Sequence, residues 1–175
     1  MAENNEFYDF LVKNTISWIY KNREIYRPIA TTLDKKLKER LYPYFNEDIV
    51  DNAKVIITNT LPSFDFLKDY GFTEFTNRAL NLTYNSGIIF IDTLVISSRS
   101  KIEFDSIVFY LLVHSSSYRL IGVESFVSKY VHQSLEENYN LKEILIEKFA
   151  SSLTTRYEKG ESFSVEEELK KFYSN

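Results

Sequence analysis

Residues 87–97 read GIIFIDTLVIS, and this run constrains the fold more than any other part of the chain. Ile, Phe, Val and Leu fill it almost without interruption, the pattern of a β-strand. Asp92 and Thr93 break the run and mark the place for a bend or a hairpin turn. A second β-branched triplet, Val55-Ile56-Ile57, is bounded by polar residues and predicts another strand. Around these the periodicity is helical. Residues 5–26 predict a first helix, with Phe7, Phe10, Leu11, Trp18 and Ile25 near one stripe. Pro28 suits the first turn of a second helix, in which Leu33, Leu37 and Leu41 repeat every four residues. Residues 46–52 predict a short helical turn. Four helical segments follow the strand region: one from Asp105 or Ser106 to Gly122, then 123–135, 141–157 and 164–173. Helices, a small sheet of two or three strands, then helices again make an α+β domain. Residues 61–86, with Pro62 and Gly71, read as a long irregular connection of the kind that often carries function.

Composition narrows the chemistry. The 175 residues suit one domain with its own core. A net charge of -4 argues against a general nucleic-acid partner. Lys35, Lys36, Lys38, Glu39 and Arg40 form a charge run that reads as a solvated helix face. No cysteine is present, which excludes disulfides, thiolate metal sites and cysteine nucleophiles. Only His114 and His132 are available as imidazoles. His132, near Gln133 and Glu136, reads as solvent-exposed. The N-terminal MAENNEFYDF has no secretory pattern, and no apolar run reaches the ~18 residues that span a bilayer. The expectation is a cytoplasmic protein with no membrane partner.

His114 is the residue that bears on catalysis. It lies four residues after Tyr110 in an apolar helical stretch, FYLLVHSSSYRLIG. On a helix, residues four apart share a face, and H-E-x-x-H uses this to aim two imidazoles at one zinc while the Glu activates the bound water. The window here is Tyr110-Leu111-Leu112-Val113-His114, which keeps only the last position. Ser115-Ser116-Ser117 offers hydroxyls, but adjacent residues diverge around a helix, so a serine nucleophile activated by His114 is not expected.

The residues around His114 carry a resemblance. Gly87, Phe90, Asp92 and Thr93 fit a G-x-x-F-x-D-T strand. Leu112, Val113, His114, Tyr118, Arg119, Gly122, Val123, Phe126, Tyr130 and Val131 fit H-E-L-V-H followed by Q-Y-R-x-L-G-V-x-x-F-x-x-x-Y-V. Glu147 and Ala150 fit L-x-x-E-x-x-A, and Leu41-Tyr42-Pro43-Tyr44-Phe45 is similar to an L-x-P-Y-F segment. Together they resemble a family of small bacterial zincin-like proteins of the H-E-x-x-H metallopeptidase type. The resemblance implies one zincin-like domain over 1–175, with a helical extension at about 1–41 and a core at about 42–160. It also implies His114 as second zinc ligand and Glu147 as third. The first ligand position is then Tyr110 and the base position Leu111, and Ser117 stands at a position that is usually Gln in the family.

Those departures set the functional expectation. A catalytic zinc takes about three protein ligands plus water, and His114 and Glu147 supply two. A leucine takes no proton, and loss of a positioned base costs ~10²–10⁴-fold in rate. The reading is a catalytically inactive, metallopeptidase-like module that needs no cofactor and binds a peptide or protein. Its expected binding edge is Ile89, Phe90, Ile91, Asp92 and Thr93. One alternative is a zinc-dependent hydrolase with an atypical ligand set of His114, Glu147 and Tyr110 or Asp92. Another is a structural accessory or immunity-type protein. The aromatics Tyr8, Trp18, Tyr20, Tyr26, Tyr42, Tyr44, Phe45, Phe64 and Phe66 offer rings for a ligand pocket, but ordinary core and rim packing is the expectation.

Overall fold

The structure is a computed structural model that describes residues 2–64, 86–137, 140 and 143–174, with side chains from Glu6 onward. Among the described residues it is mainly helical with a four-stranded mixed sheet, so the α+β class holds. The sheet has one strand more than the two or three expected. Helix α1 is Ala2–Tyr26, β1 is Thr31–Thr32, α2 is Lys35–Leu41, α3 is Glu47–Asn52 and β2 is Lys54–Thr58. Then come β3 (Gly87–Phe90), β4 (Thr93–Ser97), α4 (Phe104–Ile121), α5 (Val123–Glu136), α6 (Leu145–Glu158) and α7 (Val165–Ser174). The expected long connection lies largely outside the described residues, as do Gly71 and Phe66.

The sheet order is β1-β2-β4-β3. Strands β2 and β4 run parallel, and the two outer pairings are antiparallel. The run 87–97 is therefore a hairpin, not one strand. It turns at Ile91-Asp92, one residue before the expected Asp92-Thr93. Ile91 has φ +62°, and the Asp92 amide donates to the Phe90 carbonyl at 2.8 Å, the geometry of a tight γ-turn. Thr93 opens β4 and is fully buried, because β4 is an interior strand with helices on both faces. The short strand β1 had no hydrophobic signature; Thr31 and Thr32 are both exposed.

Gly87 and Phe90 face opposite sides of the sheet, since side chains alternate along a strand. A Cβ on Gly87 would come within 3.1 Å of Leu111 Cδ1 on α4. Phe90 meets the rings of Trp18 and Tyr26 on α1. The hairpin is thus sandwiched between α1 and α4. An ion pair fixes α1 there: Arg23 donates to both Asp92 oxygens at 2.8 Å, and Arg27 adds a third contact at 3.4 Å. Burial alone would raise the Asp92 carboxyl, but the Arg23 hydrogen bonds and the two guanidinium charges outweigh it and hold it below its ordinary value.

Helix α4 is the hub. Every residue from Ser106 to Tyr118 except Tyr110 is buried, and it packs on the β3–β4 hairpin and on α3, α5, α6 and α7. Its small Ser115, Ser116 and Ser117 are all buried, which lets neighbouring helices come close; Ser117 satisfies its hydroxyl on the Val113 carbonyl at 3.1 Å. Glu103, not Asp105 or Ser106, takes the N-cap position, and Gly122 at φ +82° ends the helix and starts α5. On α1, Leu11, Ile19 and Asn22 are buried, whereas Ile25 is 52% exposed, so the stripe drifts from the expected one. Pro28 lies in the turn before β1 rather than in a helix. Among the described residues, no single helix is long and apolar enough to cross a membrane, and α4 and α5 diverge by 117° at Gly122.

Candidate functional site

The site is built from one turn of α4, the edge strand β3 and the first turn of α6. Residues 110, 111 and 114 fall within that turn of α4, and Glu147 comes from α6 because the two helices pack side by side. His114 Nε2 lies 3.7 Å from Glu147 Oε2, too long for a hydrogen bond but in direct reach. The Tyr110 ring stands edge-on to the imidazole at 4.9 Å between centroids. Leu111 is buried at the position where the resemblance places a base.

The electrostatics are those of a dry pair. His114 is 5% exposed, its Nδ1 has no hydrogen-bond partner, and burial lowers its pKa to about 4. Glu147 keeps 14% of its side chain exposed, and burial raises its carboxyl to about 8. No Lys or Arg pairs with it among the described residues. Near neutral pH the pair holds its protons with no net charge. Burial also pushes the phenols of Tyr118 and Tyr130 above their ordinary range.

Two cavities meet at Glu147, and His114 lines the smaller one. A cleft of about 620 Å³ runs between α4 and α6 from Gly87 past Ser106, Tyr110 and Ser151. A smaller cavity of about 150 Å³ lies at the edge of β3, lined by residues of α1, α4, α5 and α6. Gly87, Tyr110, Leu111 and Glu147 line both. The smaller one is walled by the rings of Trp18, Phe64, Tyr110, Tyr118, Phe126 and Tyr130.

Strand β3 presents its outer edge to this space. The Ser97 amide donates to the Ser86 carbonyl at 2.9 Å, and bonded pairs alternate along an antiparallel ladder. Ile88 and Phe90 therefore face β4 with their backbone groups, while those of Gly87 and Ile89 point outward. Among the described residues no strand pairs with that side.

The structure thus brings Tyr110, Leu111, His114, Glu147 and Ile89 around one space. Phe90 turns its side chain toward α1 instead, and Ile91 and Asp92 form the hairpin turn. Asp92 is held by Arg23 and Arg27, which occupies it in a structural ion pair rather than as a ligand donor. His132 is 62% exposed and pairs with Glu136 at 3.2 Å. Trp18 and Phe64 do line the site; nothing in their spacing set them apart from the other aromatics.

The donors do not fit a catalytic zinc. His114 and Glu147 are two, the third position is a phenol, and among the described residues no three His, Asp or Glu side chains are grouped to hold a metal. No family model, curated protein or solved structure matches this chain.

Proposed function

We propose that this chain is a non-catalytic, zincin-like binding module that takes an extended peptide along the outer edge of β3. The supporting observation is the outward pair of backbone groups at Gly87 and Ile89: Gly87 lines the cleft of about 620 Å³, and Ile89 lines the smaller cavity beside it. Strand addition draws its affinity from main-chain hydrogen bonds and its selectivity from alternate side-chain pockets. It requires neither a metal nor a base, which suits a centre that carries Tyr110 and Leu111.

An arrayed library of extended peptides tests this. A binding peptide should lose affinity when its backbone is N-methylated at alternate positions, and keep it at the positions between. Ile89→Pro removes the outward amide while leaving the inward bonds of Ile88 and Phe90, so it should abolish binding in a folded protein. Binding that ignores N-methylation would refute strand addition, and so would an array with no binder.

A further inference from the structure

We propose that the 150 Å³ cavity at the β3 edge is a site for a methylated ammonium group. Six aromatic rings surround it, and aromatic faces attract cations that shed water easily. The lining contributes one acid, Glu147, and no Lys or Arg among the described residues. A carboxyl 14% exposed, with His114 Nε2 at 3.7 Å and no ion pair to Lys or Arg among the described residues, is a costly arrangement that a bound cation would offset. His114 adds a second sign of an unfilled site: it lines the same cavity, is 95% buried by its 5% exposure, and leaves Nδ1 without a partner. An anion would meet the carboxyl and the ring faces with nothing to balance its charge. A primary ammonium would have to lose a strongly held hydration shell that a methylated one lacks.

The cavity adjoins the cleft, with Gly87, Tyr110, Leu111 and Glu147 lining both. If the peptide reading above holds, on which this clause alone rests, the ammonium belongs to a methylated lysine of the bound segment.

Trp18 is the only tryptophan and lines the cavity, so its emission reports occupancy. The probes are choline and 3,3-dimethylbutan-1-ol, which match in shape and differ in charge. Titration at pH 9 keeps Glu147 ionised. Choline should bind ~10-fold or more tighter than the alcohol. Glu147→Gln should erase that preference while leaving alcohol binding in place. Tyr130→Leu, which keeps an apolar wall but removes a ring face, should weaken choline several-fold more than the alcohol. Equal affinity for the two probes, an undiminished preference in Glu147→Gln, or no response of Trp18 would each overturn the proposal. An extended peptide that binds the edge with no preference for methylated lysine would overturn the assignment of the ammonium to the peptide, while leaving strand addition intact. Choline binding without any peptide binding would support the ammonium site and remove the peptide reading.

Discussion

The buried pair His114–Glu147 dictates an unusual dependence of stability on pH. Glu147 has a folded pKa of about 8 against 4.5 for an unperturbed carboxyl. Between those values the folded state holds a proton that the unfolded state has released. Stability therefore falls as pH rises through that window. His114 acts in the opposite sense. Its folded pKa of about 4 against 6.5 means that the unfolded state binds the extra proton, so stability rises from pH 4 to 6.5. At 1.36 kcal/mol per unit, the full spans are about 5 kcal/mol for Glu147 and about 3 kcal/mol for His114, as upper bounds. The two slopes cancel from pH 4.5 to 6.5. From 6.5 to 8 only the Glu147 slope remains, and the protein should lose about 2 kcal/mol.

Urea unfolding at half-unit pH steps, on the wild type and on Glu147→Gln, measures this. Gln copies the shape of the protonated carboxyl and does not titrate. The variant should gain about 3 kcal/mol from pH 4 to 6.5 and then stay level relative to the wild type's decline. Subtracting the two curves removes every other titrating group. The result does not depend on which atom carries the proton, because an imidazolium–carboxylate pair binds as many protons as a neutral pair. Parallel curves above pH 6.5 would refute the burial of Glu147 and with it the dry site.

Three other outcomes follow from the packing. Asp92→Ala leaves Arg23 and Arg27 unpaired at a half-buried position and should cost about 2 kcal/mol by denaturant unfolding; because the Asp92 pKa is depressed, the wild type's advantage should fade as pH drops below the ordinary carboxyl range. Gly87→Ala places a methyl 3.1 Å from the Val95 carbonyl oxygen and from Leu111 Cδ1, and should destabilise by about 1 kcal/mol, with a shift in Leu111 methyl resonances. Phe109, fully buried and stacked on Tyr157 at 4.3 Å, should cost about 3–5 kcal/mol as Ala in thermal or urea unfolding.

The elements with strong periodicity were legible in the sequence. Leu37 and Leu41 are buried on one face of α2 as their spacing implies, whereas Leu33 is buried from the segment before the N-cap Asp34, outside the helix; Gly122 ends α4 where its lack of a Cβ is needed. What was not legible arose from tertiary context. The hairpin turn at Ile91-Asp92 uses a β-branched residue at positive φ, a conformation costing about 1–3 kcal/mol that no local preference predicts. It persists where Asp92 is gripped by two arginines from α1, sixty-five or more positions earlier in the chain. The proximity of His114 and Glu147 was drawn from the resemblance, and spacing alone could not supply it, because α5 intervenes between their helices. The aromatic cavity was hidden for a related reason: its rings come from α1, α4 and α5 and from Phe64, and each looks like ordinary core in its own segment.

That origin changes the part α1 plays. Residues 1–41 read as an extension beside a core, yet Trp18 and Ile19 wall the cavity, and Trp18 anchors its indole N–H on the Ser63 carbonyl at 2.9 Å. The Arg23–Asp92 pair holds the same helix to the hairpin whose first strand offers the open edge. One helix thus fixes both the turn that shapes β3 and the wall that closes the space beside it. A perturbation of the clamp at Asp92 should therefore reach the site through α1 and alter Trp18 emission, although Asp92 itself does not line the cavity. The same contact explains how the space beside β3 keeps a defined shape: it is held by packing and by the half-buried grip of Arg23 and Arg27 on Asp92.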